Sequence, residues 1–119
     1  MGNINVKSFI EKIPGCTLAM FSVLKPGKKL ASHYGPSKSV IRYHLSLITP
    51  KNNSDCFINV NGINHNWKEG NDIMFDDTYL HSAENNSNET RVVLFLDIKR
   101  KYNNLFLDWI NNNLLHYAQ

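Results

Sequence analysis

This sequence has few cysteines and no long apolar run. Its two cysteines, Cys16 and Cys56, form neither a CxxC pair nor a disulfide framework, which favours a reduced, cytoplasmic location. No segment approaches the roughly 20 apolar residues of a spanning helix, and the first 15 residues lack the layout of a signal peptide. At 119 residues, we expect a single domain over 1–119.

The sequence also has little net charge. The formal net charge is +3, and charged residues make up 19% of the chain. This excess is too small to indicate nucleic-acid binding, so no nucleic-acid partner is predicted. Basic residues do cluster at 25–29 and 99–101. Such clusters are typical of solvated loops, and the alternative is attraction to an anionic substrate or membrane surface.

Short strand-like segments fill most of the chain. They cover 17–24, 39–48, 56–60, 63–67, 73–75 and 91–98. Asn61-Gly62 between two of them predicts a hairpin. Helical spacing predicts a short helix at the N-terminus and another over 103–117, with Leu105, Trp109, Leu114 and Tyr117 as its apolar stripe. The pattern predicts a mainly β sandwich or barrel flanked by terminal helices.

The 39–48 segment alternates between two kinds of face. One face is apolar throughout, and the other carries Arg42 and His44. Because a buried charge is costly unless it is paired, we expect the second face to look into water or into a polar cavity.

Two of the five histidines follow or precede predicted strands. His33 opens HYGP at 33–36, in a predicted loop between strands, and His81 closes FDDTYLH at 75–81. Histidines at strand ends can converge at a barrel mouth. Imidazole suits iron, zinc and copper alike, so these residues alone leave the metal open.

From about residue 19 to residue 100 the chain resembles the aspartyl/asparaginyl β-hydroxylase family, which includes lipid A 2-hydroxylases. The matching segments are AMFSVL at 19–24, HYGP at 33–36, RYHL at 42–45, FDDTYLH at 75–81 and RVVLF at 91–95. Their order and spacing make the resemblance specific. It implies a double-stranded β-helix, or jelly roll, of the cupin kind. It also implies an Fe(II)- and 2-oxoglutarate-dependent dioxygenase that uses O2 to hydroxylate an unactivated C–H bond.

The resemblance assigns roles to individual residues. His33 and His81 match the two iron-binding histidines. Ser22 and Arg91 match the positions that hold the far carboxylate of 2-oxoglutarate. Arg42 and His44 match positions near its other carboxylate, and arginine is well suited to bidentate carboxylate recognition.

One position departs from the commoner pattern of two histidines and a carboxylate. The residue two after His33 is Gly35, which has no side chain to offer. The resemblance implies that Asp77 is then not itself a metal ligand but orients a water bound to the metal. Gly35 favours the peptide Asp/Asn branch of the family, whereas 42–44 and 77–79 favour the lipid branch.

Three questions stay open at this level. The substrate is peptide Asp/Asn, a lipid acyl chain or a small molecule. The principal alternative to an enzyme is an inactive cupin-like module that retains metal, since little sequence precedes the first matched strand. The helix over 103–117 is expected to cover the barrel, and its alternative role is contact with a membrane.

Overall fold

A computed structural model describes residues 6–52 and 55–115. Helix α1 (Val6–Glu11) leads into eight strands, and helix α2 (Asn103–Ile110) follows a short 3-10 turn at Arg100–Tyr102. The strands are β1 (Cys16–Leu24), β2 (Lys29–His33), β3 (Val40–Ile48), β4 (Cys56–Val60), β5 (Ile63–Asn66), β6 (Asp72–Phe75), β7 (His81–Asn85) and β8 (Arg91–Lys99). A π-helical segment, Asn111–Leu115, continues α2.

The strands form two four-stranded antiparallel sheets. One has the order β1-β8-β3-β6, and the other has the order β2-β7-β4-β5. The predicted mainly β, double-stranded β-helix with terminal helices is therefore confirmed. Within the described residues, none of the helices has the length and apolar content required to cross a membrane.

Two strands, β2 and β7, were not predicted. The sequence analysis placed His33 in a loop, whereas it is the last residue of β2. Neither strand has an apolar alternation, because β2 reads KLASH with every residue exposed and β7 reads HSAEN. They form because β7 pairs with β2 on one side and β4 on the other. Backbone pairing thus overrides weak side-chain propensity.

The predicted hairpin is confirmed in its backbone angles. Asn61 has φ 51° and Gly62 has φ 85°, and two consecutive positive φ values match the twist of a tight two-residue turn. The turn joins β4 to β5 with Val60 opposite Ile63.

The outer face of the first sheet carries one hydrophobic core. Tyr43 and Leu45 of β3 and Leu96 and Ile98 of β8 pack there against the terminal helices. The buried residues are Ile13, Tyr43, Leu45, Leu96, Ile98, Phe106 and Ile110. A second apolar cluster, which includes Ile58, Phe75 and Val93, lies between the sheets. The apolar face of β3 therefore packs outward, as expected, and its polar face looks between the sheets.

The apolar stripe predicted for the C-terminal helix is wrong because it is shifted by one position along the chain. Phe106 and Ile110 face the sheet and are fully buried, whereas Leu105 is 58% exposed. Trp109 is half-buried and packs against the edge of the core. Phe106 and Ile110 are also four residues apart, and Phe106 meets Tyr43 edge to face with ring centroids 5.2 Å apart. Tyr117 lies outside the described residues.

Phe106 is expected to anchor α2. Replacing it by Ala should lower the free energy of unfolding by about 3–5 kcal/mol, because it removes a fully buried ring. Leu105→Ala is the matched control, and for this exposed neighbour we expect a change within about 0.5 kcal/mol. Denaturant unfolding measures both. Equal losses in the two variants would contradict this packing of the helix.

Candidate active site

A cavity of about 80 Å³ lies between the two sheets. Its polar wall contains every residue predicted to bind metal or cosubstrate, namely Ser22, His33, Arg42, His44, His81 and Arg91. Its apolar wall consists of Leu30, Ile58, Phe75, Ala83 and Phe95. Residues from seven of the eight strands, all except β5, thus converge on one space.

His33 and His81 face each other across two paired strands. His33 ends β2, His81 begins β7, and the two are direct partners in the antiparallel register. Their ring centroids are 4.2 Å apart, with the planes inclined at 59°. Residues directly opposite in such a pair project to the same face, which explains the convergence.

Each of these rings is oriented by a backbone carbonyl two residues earlier. His33 Nδ1 lies 2.8 Å from the Ala31 carbonyl oxygen, and His81 Nδ1 lies 2.8 Å from that of Tyr79. Because a carbonyl only accepts, each Nδ1 must donate, and in the neutral ring Nε2 then carries the free lone pair. Burial lowers the pKa of His81, and the nearby His33 lowers it further. The pair is therefore prepared in the form that binds a metal.

The two histidines have no third protein ligand beside them. Among residues 6–52 and 55–115, no group of three or more His, Cys, Asp or Glu is placed to hold a metal ion. A Cβ at Gly35 would collide with the Asp77 carboxylate, and the Gly35 amide donates to the Asp77 carbonyl at 2.6 Å. Asp77 thus fills the space that a side chain at position 35 would need. Its Oδ1 is buried with no hydrogen-bond partner within the described chain.

Arg42 is held by acids on two sides. Its Nε and Nη2 donate to the Asp97 carboxylate at 2.9 and 3.1 Å, and Nη2 lies 3.3 Å from Asp77 Oδ2. The guanidinium also lies 4.1 Å above the centre of the Phe95 ring. The sequence analysis gave Asp97 no role, although strand alternation already placed it on the same face as Arg91.

Arg91 is a buried cation without an acid. It is 2% exposed, its Nη2 donates to Ser22 Oγ at 2.9 Å, and its Nε has no partner within the described chain. None of the carboxylates in the described residues lies within ion-pair distance of it. Burial lowers its pKa, and a guanidinium keeps its proton even so. The cavity wall thus presents an uncompensated positive charge to whatever enters.

His44 is a neutral ring among aromatic side chains. Burial lowers its pKa to about 3, and the positive charges of Arg91 and Arg42 act in the same direction. It stacks on Trp67 with centroids 5.9 Å apart and meets Phe75 edge to face at 5.4 Å. Neither ring nitrogen has a hydrogen-bond partner in the part of the chain that the structure describes. His44 can therefore offer one N–H donor and one acceptor to a ligand.

Solved structures with the same architecture belong to the cupins. A protein described as a predicted oxalate decarboxylase from Thermotoga maritima aligns with a TM-score of 0.59 at 19% identity, covering 81% of this chain and 75% of that one. The Cupin_2 domain of an XRE family transcriptional regulator from Enterobacter cloacae aligns with a TM-score of 0.57 at 14% identity, covering 67% and 78%. At such identities the likeness shows the fold alone.

Curated relatives are hydroxylases by name. The chain is 43% identical over 112 residues to an ornithine lipid ester-linked acyl 2-hydroxylase from Rhizobium tropici, covering 92% of this chain and 40% of that protein. It is 40% identical over 83 residues to mouse aspartate beta-hydroxylase domain-containing protein 2, covering 67% and 23%. It is 29% identical over 96 residues to human aspartyl/asparaginyl beta-hydroxylase, covering 76% and 12%. The chain therefore spans two fifths or less of the length of these relatives.

The decisive comparison is with a family model. The model described as Aspartyl/Asparaginyl beta-hydroxylase matches residues 5–101, a stretch that contains every residue of the cavity wall. With a match over most of its length, the chain belongs to the aspartyl/asparaginyl β-hydroxylase family of hydroxylases.

Proposed function

We propose that this protein is an Fe(II)- and 2-oxoglutarate-dependent dioxygenase that hydroxylates an unactivated C–H bond. One observation carries the proposal. A single cavity contains a histidine pair with free Nε2 atoms and a buried arginine that has no acid partner within the described chain. The first suits a transition metal, and the second suits a carboxylate that comes with a ligand.

His33 and His81 would hold the iron, and the donor set fits it. Two imidazoles leave several coordination positions open. Asp77 Oδ1 is a buried acceptor without a donor among the described residues, suited to a water beside the metal. When bound, the iron supplies O2 activation coupled to oxidative decarboxylation of 2-oxoglutarate and hydroxylation of the substrate. Arg42 would hold Asp77 in place, since its Nη2 lies 3.3 Å from Asp77 Oδ2.

Arg91 and Ser22 would bind the far carboxylate of 2-oxoglutarate. The Arg91 guanidinium donates to Ser22 on one side, and Arg91 Cζ lies 5.7 Å from the centre of the Trp67 ring. A carboxylate there would neutralise the buried charge and accept charge-assisted hydrogen bonds. Neutral His44 and Arg42 line the same cavity and would orient the other end of the molecule. The apolar wall of Leu30, Ile58, Phe75, Ala83 and Phe95 would exclude water around the reacting atoms.

For the substrate we propose an acyl chain rather than a peptide Asp or Asn side chain. The two arginines of the cavity wall, Arg91 and Arg42, are both assigned to the cosubstrate, so the described wall has no further arginine or lysine for a substrate carboxylate. The relative with 43% identity is named as a lipid acyl hydroxylase. We further propose a cytoplasmic location, on the basis of the free thiols of Cys16 and Cys56.

Removing either histidine should abolish iron binding. We expect His33→Ala and His81→Ala to lose calorimetric binding of Fe(II) under anaerobic conditions, because one remaining imidazole cannot hold the ion. Exposed His65→Ala is the control and should bind as the unmodified chain does. Wild-type protein should also form succinate from 2-oxoglutarate with Fe(II) and O2. Metal binding without any succinate would favour the inactive cupin-like module instead.

Arg91→Ala should weaken the binding of 2-oxoglutarate far more than the binding of iron. Loss of charge-assisted hydrogen bonds predicts an increase of about 10- to 150-fold in the KM for 2-oxoglutarate. Calorimetric Fe(II) affinity should stay close to that of the wild type, since Arg91 would bind cosubstrate and not metal. An unchanged KM would exclude Arg91 from the cosubstrate site. The exposed Arg100→Ala tests for a general effect of lost charge.

Burial of neutral His44 predicts a pH-dependent stability. The unfolded ring takes up a proton below about pH 6.5, and the folded ring does so only near its pKa of about 3. The unfolded state therefore binds more protons in between, and stability falls as the pH falls. For the metal-free chain we expect His44 to account for about 2 kcal/mol of lost unfolding free energy between pH 7 and pH 5. Denaturant unfolding of His44→Asn should lack this component, whereas exposed His65→Asn should retain it.

A further inference from the structure

Strand β1 is an edge strand without the protection that the other edges have. Among the described residues it terminates the first sheet and pairs with β8 alone, regularly over Leu18–Leu24 after a register shift between Cys16 and Leu18. Its nine residues, CTLAMFSVL, include no charge and no proline. The other sheet edges are β2, β5 and β6. Strands β5 and β6 have four residues each, and β2 begins with Lys29, which pairs with Glu84. Long uncharged edges are templates for further strand pairing.

Both faces of β1 expose apolar side chains. Phe21 and Val23 lie on the outer face opposite Leu94 and Val92, beyond the part that the helices cover. Phe21 is 62% exposed. On the inner face, Leu18 and Met20 lie opposite Asp97 and Phe95, in line with Ser22 of the cavity wall. A strand laid beside β1 would cover both faces and pair its free backbone groups at once.

We propose that β1 pairs antiparallel with β1 of a second copy of this chain, about a two-fold axis at Met20. In that register residue i lies opposite residue 40 − i, so Phe21 meets Ala19 and Leu18 meets Ser22. Because 40 is even, each odd-numbered residue lies opposite an odd-numbered one and each even-numbered residue opposite an even-numbered one. Side chains alternate between the two faces of a strand, so the outer faces of both copies lie on the same side of one continuous sheet. Two of the pairs, Phe21–Ala19 and Leu18–Ser22, combine a large with a small side chain, Met20 lies opposite Met20 at the axis, and no pair contains like charges.

A second copy fits this edge better than an unrelated charged partner does. An isologous interface needs a surface that complements itself. The uncharged β1 sequence meets that condition, whereas it offers a charged partner nothing to pair with. The join would also place Leu18 and Met20 of each copy beside the other copy's inner face. The proposal does not rest on the proposed reaction: Ser22 is the one cosubstrate residue in this register, and the strand pairing there needs no bound ligand.

Sedimentation velocity on the full 119-residue chain tests the pairing. We expect a dimer at high protein concentration that dissociates on dilution. Phe21→Lys should raise the dimer dissociation constant by at least about tenfold, because the added charge enters a symmetric interface twice. Ile63→Lys is the matched control, since Ile63 is also 62% exposed and lies on the β5 edge. This control should dimerise normally.

A cross-link distinguishes this geometry from any other dimer and does not depend on how well Phe21→Lys folds. Met20→Cys in a Cys16→Ser background should oxidise to a covalent dimer, because Cα atoms directly opposite lie about 4.5–5.5 Å apart, within disulfide range. Ile63→Cys in the same background should not. A monomer at every concentration, a dimer that only Ile63→Lys disrupts, or a failure of position 20 to cross-link would each overturn the proposal.

Discussion

A guanidinium buried between two sheets is the constraint on which this site depends. Burying a charge without an acid is costly, and the Ser22 hydroxyl offsets only part of that cost for Arg91. The two-sheet fold supplies the rest of the framework, since β8 carries Arg91 while its neighbour β1 carries Ser22. An arriving carboxylate would be stabilised by a charge whose desolvation has already occurred during folding. Under the proposed function this would be preorganisation, because folding free energy would be given up to prepare a site for the cosubstrate carboxylate.

The molecule can accept that cost because a separate hydrophobic core lies outside the cavity. Strands β3 and β8 send alternate residues outward to a core under the terminal helices, where Tyr43, Leu96 and Phe106 are fully buried. Their other residues, Arg42, His44 and Arg91, face the cavity. One pair of strands thus serves both stability and chemistry on opposite faces. A small domain gains from this arrangement, because the outer core adds to the apolar cluster that shares the interior with these polar groups.

The features of this arrangement that depend on sequence periodicity and turn residues could be predicted from the sequence. The alternation of β3 predicted that Arg42 and His44 share a polar face, and Asn61-Gly62 predicted the hairpin. The sequence could not show β2 and β7, because their residues carry no apolar pattern and their pairing partners are distant in the chain. Nor did it show that Asp97 holds Arg42, since the ion pair spans two strands more than fifty residues apart. The resemblance supplied the histidine roles, and the carbonyl contacts that orient the rings required coordinates.

Gly35 and Asp77 are in contact although they follow strands of different sheets, β2 and β6. A side chain at position 35 and the Asp77 carboxylate compete for the same volume, so the site can contain one of them but not both without rearrangement. This chain has a carboxylate after β6, at Asp77, and none two residues after His33. That arrangement ties the acid to Arg42, and through Arg42 to Asp97 on β8. The carboxylate is therefore positioned by the sheet that also carries Arg91, while the histidines are positioned by the opposite sheet. Restoring an acid at position 35 would not simply add a ligand. It would displace Asp77 and release one side of Arg42.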